Sequence, residues 1–221
     1  MDFTSKKGVI FDFNGTLLWD THLHNRAWNT FLEKHGFSLS DEEKHQRIHG
    51  RLNSEILTDL FGDDLGDEEI HRYTLEKEYE YQRLCIGQNL SLADGVVSLF
   101  EALKKRGVPF VIATASGIEN VEFYVKRFDL DKWFLKEHII YNDGTMRGKP
   151  CPDLFRKALS TLGLRSEDTV IFEDSISGIK AAEAVNAAQI IIVNSNEEDY
   201  GEWKDKYPVI TNYGEIDWKW F

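Results

Sequence analysis

Acidic, hydroxyl and lysine side chains recur after apolar stretches of this sequence, and together they could hold a phosphate beside a metal ion. The first is Asp12, the one charge in the apolar run from Val9 to Phe13. A carboxylate at the end of a buried strand is costly unless a cation, usually a metal ion, shares its site. The alternative is that Asp12 only bonds to its own turn at Gly15. This stretch alone supports both interpretations equally.

Three other segments carry further candidates for such a site: Thr114, Ala115 and Ser116; Lys149; and Glu173 with Asp174. Each has an ordinary alternative, as turn hydroxyls, a solvated loop charge, or acidic residues that begin a helix. In a doubly wound sheet, ligands bind at the carboxyl edge of the strands, where these groups would meet. Carboxylates suit a hard cation, while lysine, hydroxyl and amide donors suit phosphoryl oxygens. The coincidence of all four groups favours a phosphate and Mg²⁺ site.

The elements that must position these groups are fully apolar strands that alternate with helices. The predicted strands cover residues 9–13, 109–115, 139–141, 169–172 and 189–193, and the last predicted helix covers 176–188. Such strands are typical of a parallel sheet covered by helices on both faces. Residues 20–88 are instead polar and helical in pattern. We therefore expect an α/β doubly wound parallel sheet, formed by residues 1–19 and 89–221, with an inserted helical domain at 20–88.

Composition limits the partners and the compartment. The chain has 221 residues and a net charge of −12, which opposes binding to nucleic acid or to an anionic membrane surface. Cys85 and Cys151 are far apart and belong to no CxxC pattern, so we expect free thiols in a reducing compartment. The sequence has no apolar signal core and no run of membrane-spanning length, which predicts a cytoplasmic location. The aromatic tail, residues 217–221, is expected to pack against the sheet.

The order of these motifs resembles the haloacid dehalogenase superfamily. The motifs are DFNGT at 12–16, TAS at 114–116, GKPCPD at 148–153 and EDSISG at 173–178. The sequence is most similar to the branch with a helical cap inserted after the first motif, which contains β-phosphoglucomutase and many small-molecule phosphatases. The resemblance covers nearly the whole chain.

The resemblance implies a role for each candidate residue. Asp12 would be the nucleophile and would form a phosphoaspartate, while Lys149 would balance charge. Mg²⁺ would be held by Asp12, the backbone carbonyl of Asn14 and Asp174, with Glu173 in or beside the ligand shell. The phosphoryl oxygens would be bound by Thr114, the amide of Ala115 and Ser116. A metal ion and a lysine allow an anionic nucleophile to approach an anionic phosphate, so covalent catalysis becomes feasible.

Asn14 departs from the family pattern, which usually has Asp at this position. That Asp transfers a proton to the leaving oxygen and later accepts one, whereas Asn can only hydrogen-bond. General acid–base catalysis contributes roughly 10²–10⁴-fold, so we expect slow turnover of ordinary alkyl phosphates. Three explanations stay open: a natural variant with slow or specialised activity, a deliberate substitution, or a chain that binds without turnover.

Two residues of the helical insertion are substrate candidates by resemblance. His24 lies on the first inserted helix, although an ordinary surface histidine is the alternative; His22 and His24 do not face each other on a helix and form no metal site. Arg51 follows His49 in a segment similar to the substrate loop of the branch. Opening and closing of the cap predicts hinges near 17–20 and 88–94.

We expect a Mg²⁺-dependent phosphatase of a small phosphorylated metabolite such as a sugar phosphate, and a monomer. β-Phosphoglucomutase is the alternative enzyme, and a phosphate-ligand-binding protein is the alternative outside enzymes.

Overall fold

A parallel sheet organises the protein, for which the computed structural model describes residues 7–221. Its six strands are β1 (Gly8–Phe11), β2 (Phe110–Ala113), β3 (Ile139–Ile140), β4 (Thr169–Glu173), β5 (Gln189–Val193) and β6 (Val209–Ile210). They lie in the order β3-β2-β1-β4-β5-β6, and every neighbouring pair is parallel. β1 therefore lies between β2 and β4, at the point where the chain turns from one side of the sheet to the other.

Helices fill the connections between the strands. They are α1 (Thr21–Lys34), α2 (Asp41–Arg47), α3 (Asn53–Phe61), α4 (Asp67–Ile86), α5 (Val96–Arg106), α6 (Ile118–Phe128), α7 (Asp153–Leu162), α8 (Ile176–Ala184) and α9 (Trp203–Lys206). We call α1–α4 the helical insertion, because they all lie between β1 and α5 with no strand among them, and we call the rest of the described chain the sheet region. The division of the chain into a core domain and a cap domain stays a proposal.

The helical insertion has an apolar core of its own. Trp28 and Phe31 of α1 pack in one buried cluster with Ile56 and Leu57 of α3. Burying one such side chain contributes about 1.5–3 kcal/mol, so this cluster holds the inserted helices together. α2 begins with the capping box that the sequence predicts, formed by Ser40 and Glu43.

Aromatic side chains pack along the sheet. The ring of Phe11 stacks on that of Phe172 at 4.9 Å and meets the edge of Phe100 at 5.6 Å. Phe221 of the tail lies 6.4 Å from Phe172, between ring centres, and Trp220 packs on the same cluster. The expectation that the tail packs on the sheet is confirmed. This core fixes β1 and β4 side by side.

The structure corrects several sequence expectations, among them the first strand, which spans Gly8–Phe11 rather than 9–13. β6 has two residues, too few to give a strand pattern in the sequence. α8 ends at Ala184 rather than at 188, because Asn186 has a φ of 56° and turns the chain into β5. β2 spans Phe110–Ala113, which is shorter than predicted.

Two expectations about the chain as a whole can be compared with the structure. Both cysteines are free thiols, as expected. Among the helices of residues 7–221, none combines the length with the apolar character that crossing a membrane would require.

Candidate active site

Carboxylates from two neighbouring strands meet at the carboxyl edge of the sheet. Asp12 follows β1, and its backbone N–H donates to the carbonyl of Phe172 in β4 at 3.0 Å. Glu173 ends β4 and Asp174 follows it. All three carboxylates are buried, Glu173 completely. Because β1 and β4 are adjacent and parallel, these predicted residues are brought together by the sheet itself.

Lys149 supplies positive charge to this group from the loop before α7. Its ammonium is 1 % exposed and donates to Asp12 Oδ1 at 2.6 Å and to Glu173 Oε1. Burial opposes the charge on this lysine, but the two carboxylates overcome that effect and raise its pKa. Lys149 is therefore a permanent buried cation, which excludes the solvated loop charge considered from the sequence.

Glu173 is held on both of its oxygens. While Oε1 accepts from Lys149, Oε2 accepts from the backbone N–H groups of Asp174 and Ser175, both at 2.9 Å, and from the Ser175 hydroxyl at 3.0 Å. A Cβ on Gly178 would lie 1.9 Å from the Glu173 carboxylate, so only glycine fits there. Glu173 thus orients Lys149 toward Asp12.

The negative charge at this edge exceeds what Lys149 neutralises. One carboxylate oxygen from each of Asp12, Glu173 and Asp174 lies within 4.8 Å of the other two. Burial and the neighbouring acids raise the pKa of Asp12 to about 7, against the effect of Lys149, and raise that of Asp174 well above its usual range. A group of carboxylate oxygens whose negative charge is not fully balanced fits a hard divalent cation such as Mg²⁺.

Gly15 leaves room beside these acids. It has a φ of +76°, and a Cβ there would lie 1.9 Å from Asp174 Oδ2. The Thr16 hydroxyl donates to Asp174 Oδ1 at 3.3 Å. The turn after β1 therefore both admits and orients Asp174.

The residues that follow β2 line the same cavity. Thr114, Ala115 and Ser116 line it together with Asp12 and Asp174. The Thr114 hydroxyl accepts from the backbone N–H of Ser116 at 3.1 Å, which fixes the turn. The structure thus brings all three predicted phosphate-binding residues to the cavity that Asp12 lines.

Asn14 occupies a site that suits an amide. Its Nδ2 donates to Asp20 Oδ2 at 2.7 Å and to the Tyr124 hydroxyl at 2.8 Å, and its Oδ1 accepts from the Ser116 hydroxyl at 2.9 Å. Asp20 also accepts from the hydroxyl of Tyr81 and from the backbone N–H of Gly15 at 3.1 Å. Burial opposes ionisation of Asp20, but these donors and His24 overcome it and lower its pKa. An ionised neighbour of this kind requires a donor at position 14.

Polar side chains of the helical insertion complete the cavity, and sequence reasoning missed most of them. Glu78 on α4 is buried; its Oε1 accepts from Lys77 at 2.7 Å and from Asn53 at 2.5 Å. Its Oε2 accepts from Asn120 of the sheet region at 2.6 Å. Burial opposes its ionisation, but Lys77 and the other donors overcome it and lower the pKa of Glu78. A polar surface, in which Lys77 balances the charge of Glu78, therefore lines the same cavity as the carboxylates.

His24 and Arg51, the two substrate candidates of the insertion, both line this cavity, but they make different contacts. His24 stacks on Tyr81 with ring centres 3.8 Å apart, and its Nδ1 lies 3.2 Å from Lys77 Nζ. Arg51 lines the cavity too, but its guanidinium donates to Asp59 at 2.6 Å. A substrate contact by Arg51 stays a prediction.

The insertion also touches the loop that carries Lys149. The backbone N–H of Gly148 donates to Glu55 Oε1 at 2.9 Å. A Cβ on Gly148 would lie 2.5 Å from Glu55 Oε2, so the close approach depends on glycine.

The comparison with known families decides the classification of this chain. A family described as haloacid dehalogenase-like hydrolase matches residues 6–186. The chain belongs to this family. Its fold and motif order agree with that membership, and the resemblance stated from the motifs is confirmed.

Individual members of the haloacid dehalogenase-like family show the same similarity. A crystal structure of a HAD hydrolase, family IA, variant 3, from Entamoeba histolytica has a TM-score of 0.84 and 36% identity over 96% of each chain. A phosphorylated carbohydrates phosphatase of Thermotoga maritima is 27% identical over 83% of each chain. A β-phosphoglucomutase of Clostridium difficile, 20% identical, shares the fold with a TM-score of 0.76, covering 97% of this chain and 94% of that one.

Proposed function

We propose that this protein is a Mg²⁺-dependent phosphatase of a small phosphorylated carbohydrate, acting through a phosphoaspartate on Asp12. The observation that carries the proposal is the buried Asp12 carboxylate, held by Lys149 at 2.6 Å and facing the Thr114 to Ser116 turn across one cavity. The similarity to a phosphorylated carbohydrates phosphatase supports the substrate class.

The residues of the chain divide the work between charge balance and positioning. Asp12 attacks phosphorus, the bond from phosphorus to the sugar oxygen breaks, and water later attacks the phosphoaspartate to release phosphate. Lys149 reduces the repulsion between the two anions, and the Thr114 and Ser116 turn binds the phosphoryl oxygens. Asp12, Asp174 and the carbonyl of Asn14 would hold Mg²⁺, which supplies further charge neutralisation when bound.

The wall formed by Glu78, Lys77 and Asn53 supports a polyhydroxylated substrate. Carboxylate, amide and ammonium groups bind sugar hydroxyls as both acceptors and donors. Lys77 and Arg51, the lysine and the arginine that the insertion brings to this cavity, are both paired with carboxylates, Lys77 with Glu78 at 2.7 Å and Arg51 with Asp59 at 2.6 Å. We therefore infer that a monophosphate suits the cavity better than a bisphosphate.

Asn14 sets the rate in this proposal. Its amide donors are engaged by Asp20 and Tyr124, so the leaving oxygen receives no proton from position 14. Turnover of alkyl phosphates should be slow, and that of substrates with acidic leaving groups less so.

The test is phosphate release with Mg²⁺ from a panel of sugar monophosphates, for the native chain and for Asp12→Asn. This substitution keeps the shape of the side chain and removes its nucleophilic charge. We expect release by the native chain and none by the variant. Release by both at the same rate, or by neither, would contradict the proposal; in the second case ligand binding without turnover is the better account.

β-Phosphoglucomutase activity is separated by the product. With β-glucose 1-phosphate and a trace of the bisphosphate, free phosphate indicates a phosphatase and glucose 6-phosphate indicates a mutase.

A further inference from the structure

Two histidines of the helical insertion and one glutamate of the sheet region meet beside the cavity described above, which His49 also lines. His45 lies on α2 and His49 lies just after its end, with the centres of the two rings 5.5 Å apart. Glu198 lies in the segment after β5. One ligand atom from each lies within 4.8 Å of the other two, and all three residues are partly buried.

The distances between these atoms suit a small metal ion. Two ligands about 2.1 Å from a tetrahedral metal lie roughly 3.4 Å apart. His45 Nδ1 lies 2.7 Å from Glu198 Oε2, and His49 Nδ1 lies 3.7 Å from Glu198 Oε1. These two distances run to different oxygens of Glu198, so the side chains must rotate to bring one nitrogen from each histidine and one carboxylate oxygen onto a single ion.

The Nδ1 atom of His49, which faces Glu198, has a lone pair to offer. His49 Nε2 donates to the amide oxygen of Asn25 at 2.9 Å, which leaves His49 Nδ1 without a proton. His45 Nδ1 lies 2.7 Å from Glu198 Oε2, so a metal ion would bind there in place of the proton that this contact shares.

We propose that His45, His49 and Glu198 form a second metal site, which binds a borderline divalent transition metal such as Zn²⁺. Two imidazoles and one carboxylate are a ligand set that Zn²⁺ prefers, and the fourth position would take water. Mg²⁺ prefers oxygen ligands, so the two sites select different ions.

A metal bound there joins the insertion to the sheet region. His45 and His49 come from the insertion, whereas Glu198 belongs to a segment whose Tyr200 donates to the backbone carbonyl of Asp174 at 2.6 Å. The backbone carbonyl of His49 already accepts from the Ser177 hydroxyl at 2.9 Å. Bound Zn²⁺ should therefore slow any separation of the two parts.

The test is a calorimetric titration of the full chain with Zn²⁺ in saturating Mg²⁺, which keeps the carboxylate site occupied. The variants are His45→Gln and Glu198→Gln, and His71→Gln on the exposed face of α4 is the matched control. We expect one Zn²⁺ per chain in the native and control proteins, and at least tenfold weaker binding in each of the two variants. Two variants are used so that one can decide if the other does not fold.

Native affinity for Zn²⁺ in either folded variant would overturn the proposal, because the ion would then bind elsewhere. Failure of the native chain to bind Zn²⁺ would also overturn it and would leave His45 and Glu198 as an ion pair. Hydrogen exchange gives a second readout: Zn²⁺ should slow amide exchange both at 45–51 and at 194–200. Neither measurement depends on phosphatase activity.

Discussion

Replacing Asn14 with Asp changes one amide nitrogen into an oxygen at a position where the neighbouring Asp20 accepts a hydrogen bond. Nδ2 donates to Asp20 Oδ2 at 2.7 Å, so the new carboxylate would contact the carboxylate of Asp20. Like charges at this separation raise the pKa of one of the two groups, and the pair shares a proton near neutral pH. A carboxyl that carries a proton at working pH can protonate the leaving oxygen.

The size of the effect follows from the proton transfer that Asn14 lacks. General acid–base catalysis contributes roughly 10²–10⁴-fold, or about 2.7–5.4 kcal/mol of the barrier. We expect Asn14→Asp to raise kcat on a sugar phosphate within this range at saturating Mg²⁺. On p-nitrophenyl phosphate, whose leaving group needs no proton, the gain should be small. The free energy of unfolding should fall by about 1–3 kcal/mol, since Asp20 loses a donor.

A double variant controls for a general change at the site. Asp20→Asn combined with Asn14→Asp restores the hydrogen bond with donor and acceptor exchanged, and the new carboxylate then has no acid with which to share a proton. Its gain on the sugar phosphate should be smaller than that of the single variant. An equal gain on both substrates, or no gain on either while Mg²⁺ still binds, would refute the reasoning.

Three further predictions concern the carboxylate cluster. Lys149→Met leaves the buried carboxylates without their cation, so the free energy of unfolding measured in urea should fall by about 3–5 kcal/mol. Turnover should be lost, and Mg²⁺ should restore part of the stability. Unchanged stability would show that the carboxylates are solvated. Because burial raises the pKa of Asp12 to about 7, the metal-free protein should lose stability as the pH rises from about 4 to 7. Thermal unfolding at several pH values measures this loss, and added Mg²⁺ should reduce it. Gly15→Ala and Gly36→Ala should each lower the free energy of unfolding by about 1–2 kcal/mol, because both glycines have a left-handed backbone. Only Gly15→Ala should abolish turnover. A Cβ at Gly15 would meet Asp174, whereas one at Gly36 would meet nothing within 4 Å.

The catalytic edge was predictable because it depends on local sequence and on one rule of topology. Asp12, Glu173 and Asp174 directly adjoin apolar strands, and parallel strands bring their carboxyl ends to one edge. Lys149 was predicted only through the order of the motifs, since a lone loop lysine has no local signal. The structure supplied its contacts with Asp12 and Glu173.

The surroundings of Asn14 and the polar wall depend on packing between distant segments, which the sequence does not specify locally. Tyr124 is 110 residues from Asn14, and Asn120 is 42 residues from Glu78. The charges on α4 also look solvated in the sequence. One signal was present: Lys77, Tyr81 and Leu84 recur at the spacing of a buried helical stripe, which places a charge where apolar residues belong.

The hydrogen bond between Glu55 and the N–H of Gly148 has a consequence for the order of events in a catalytic cycle. Gly148 immediately precedes Lys149, so the insertion is hydrogen-bonded to the loop that carries Lys149, and Lys149 in turn donates to Asp12. Separation of the insertion from the sheet region must break this hydrogen bond and release the loop. In the proposed reaction, opening of the insertion would therefore admit water and release the loop that carries Lys149 at the same time.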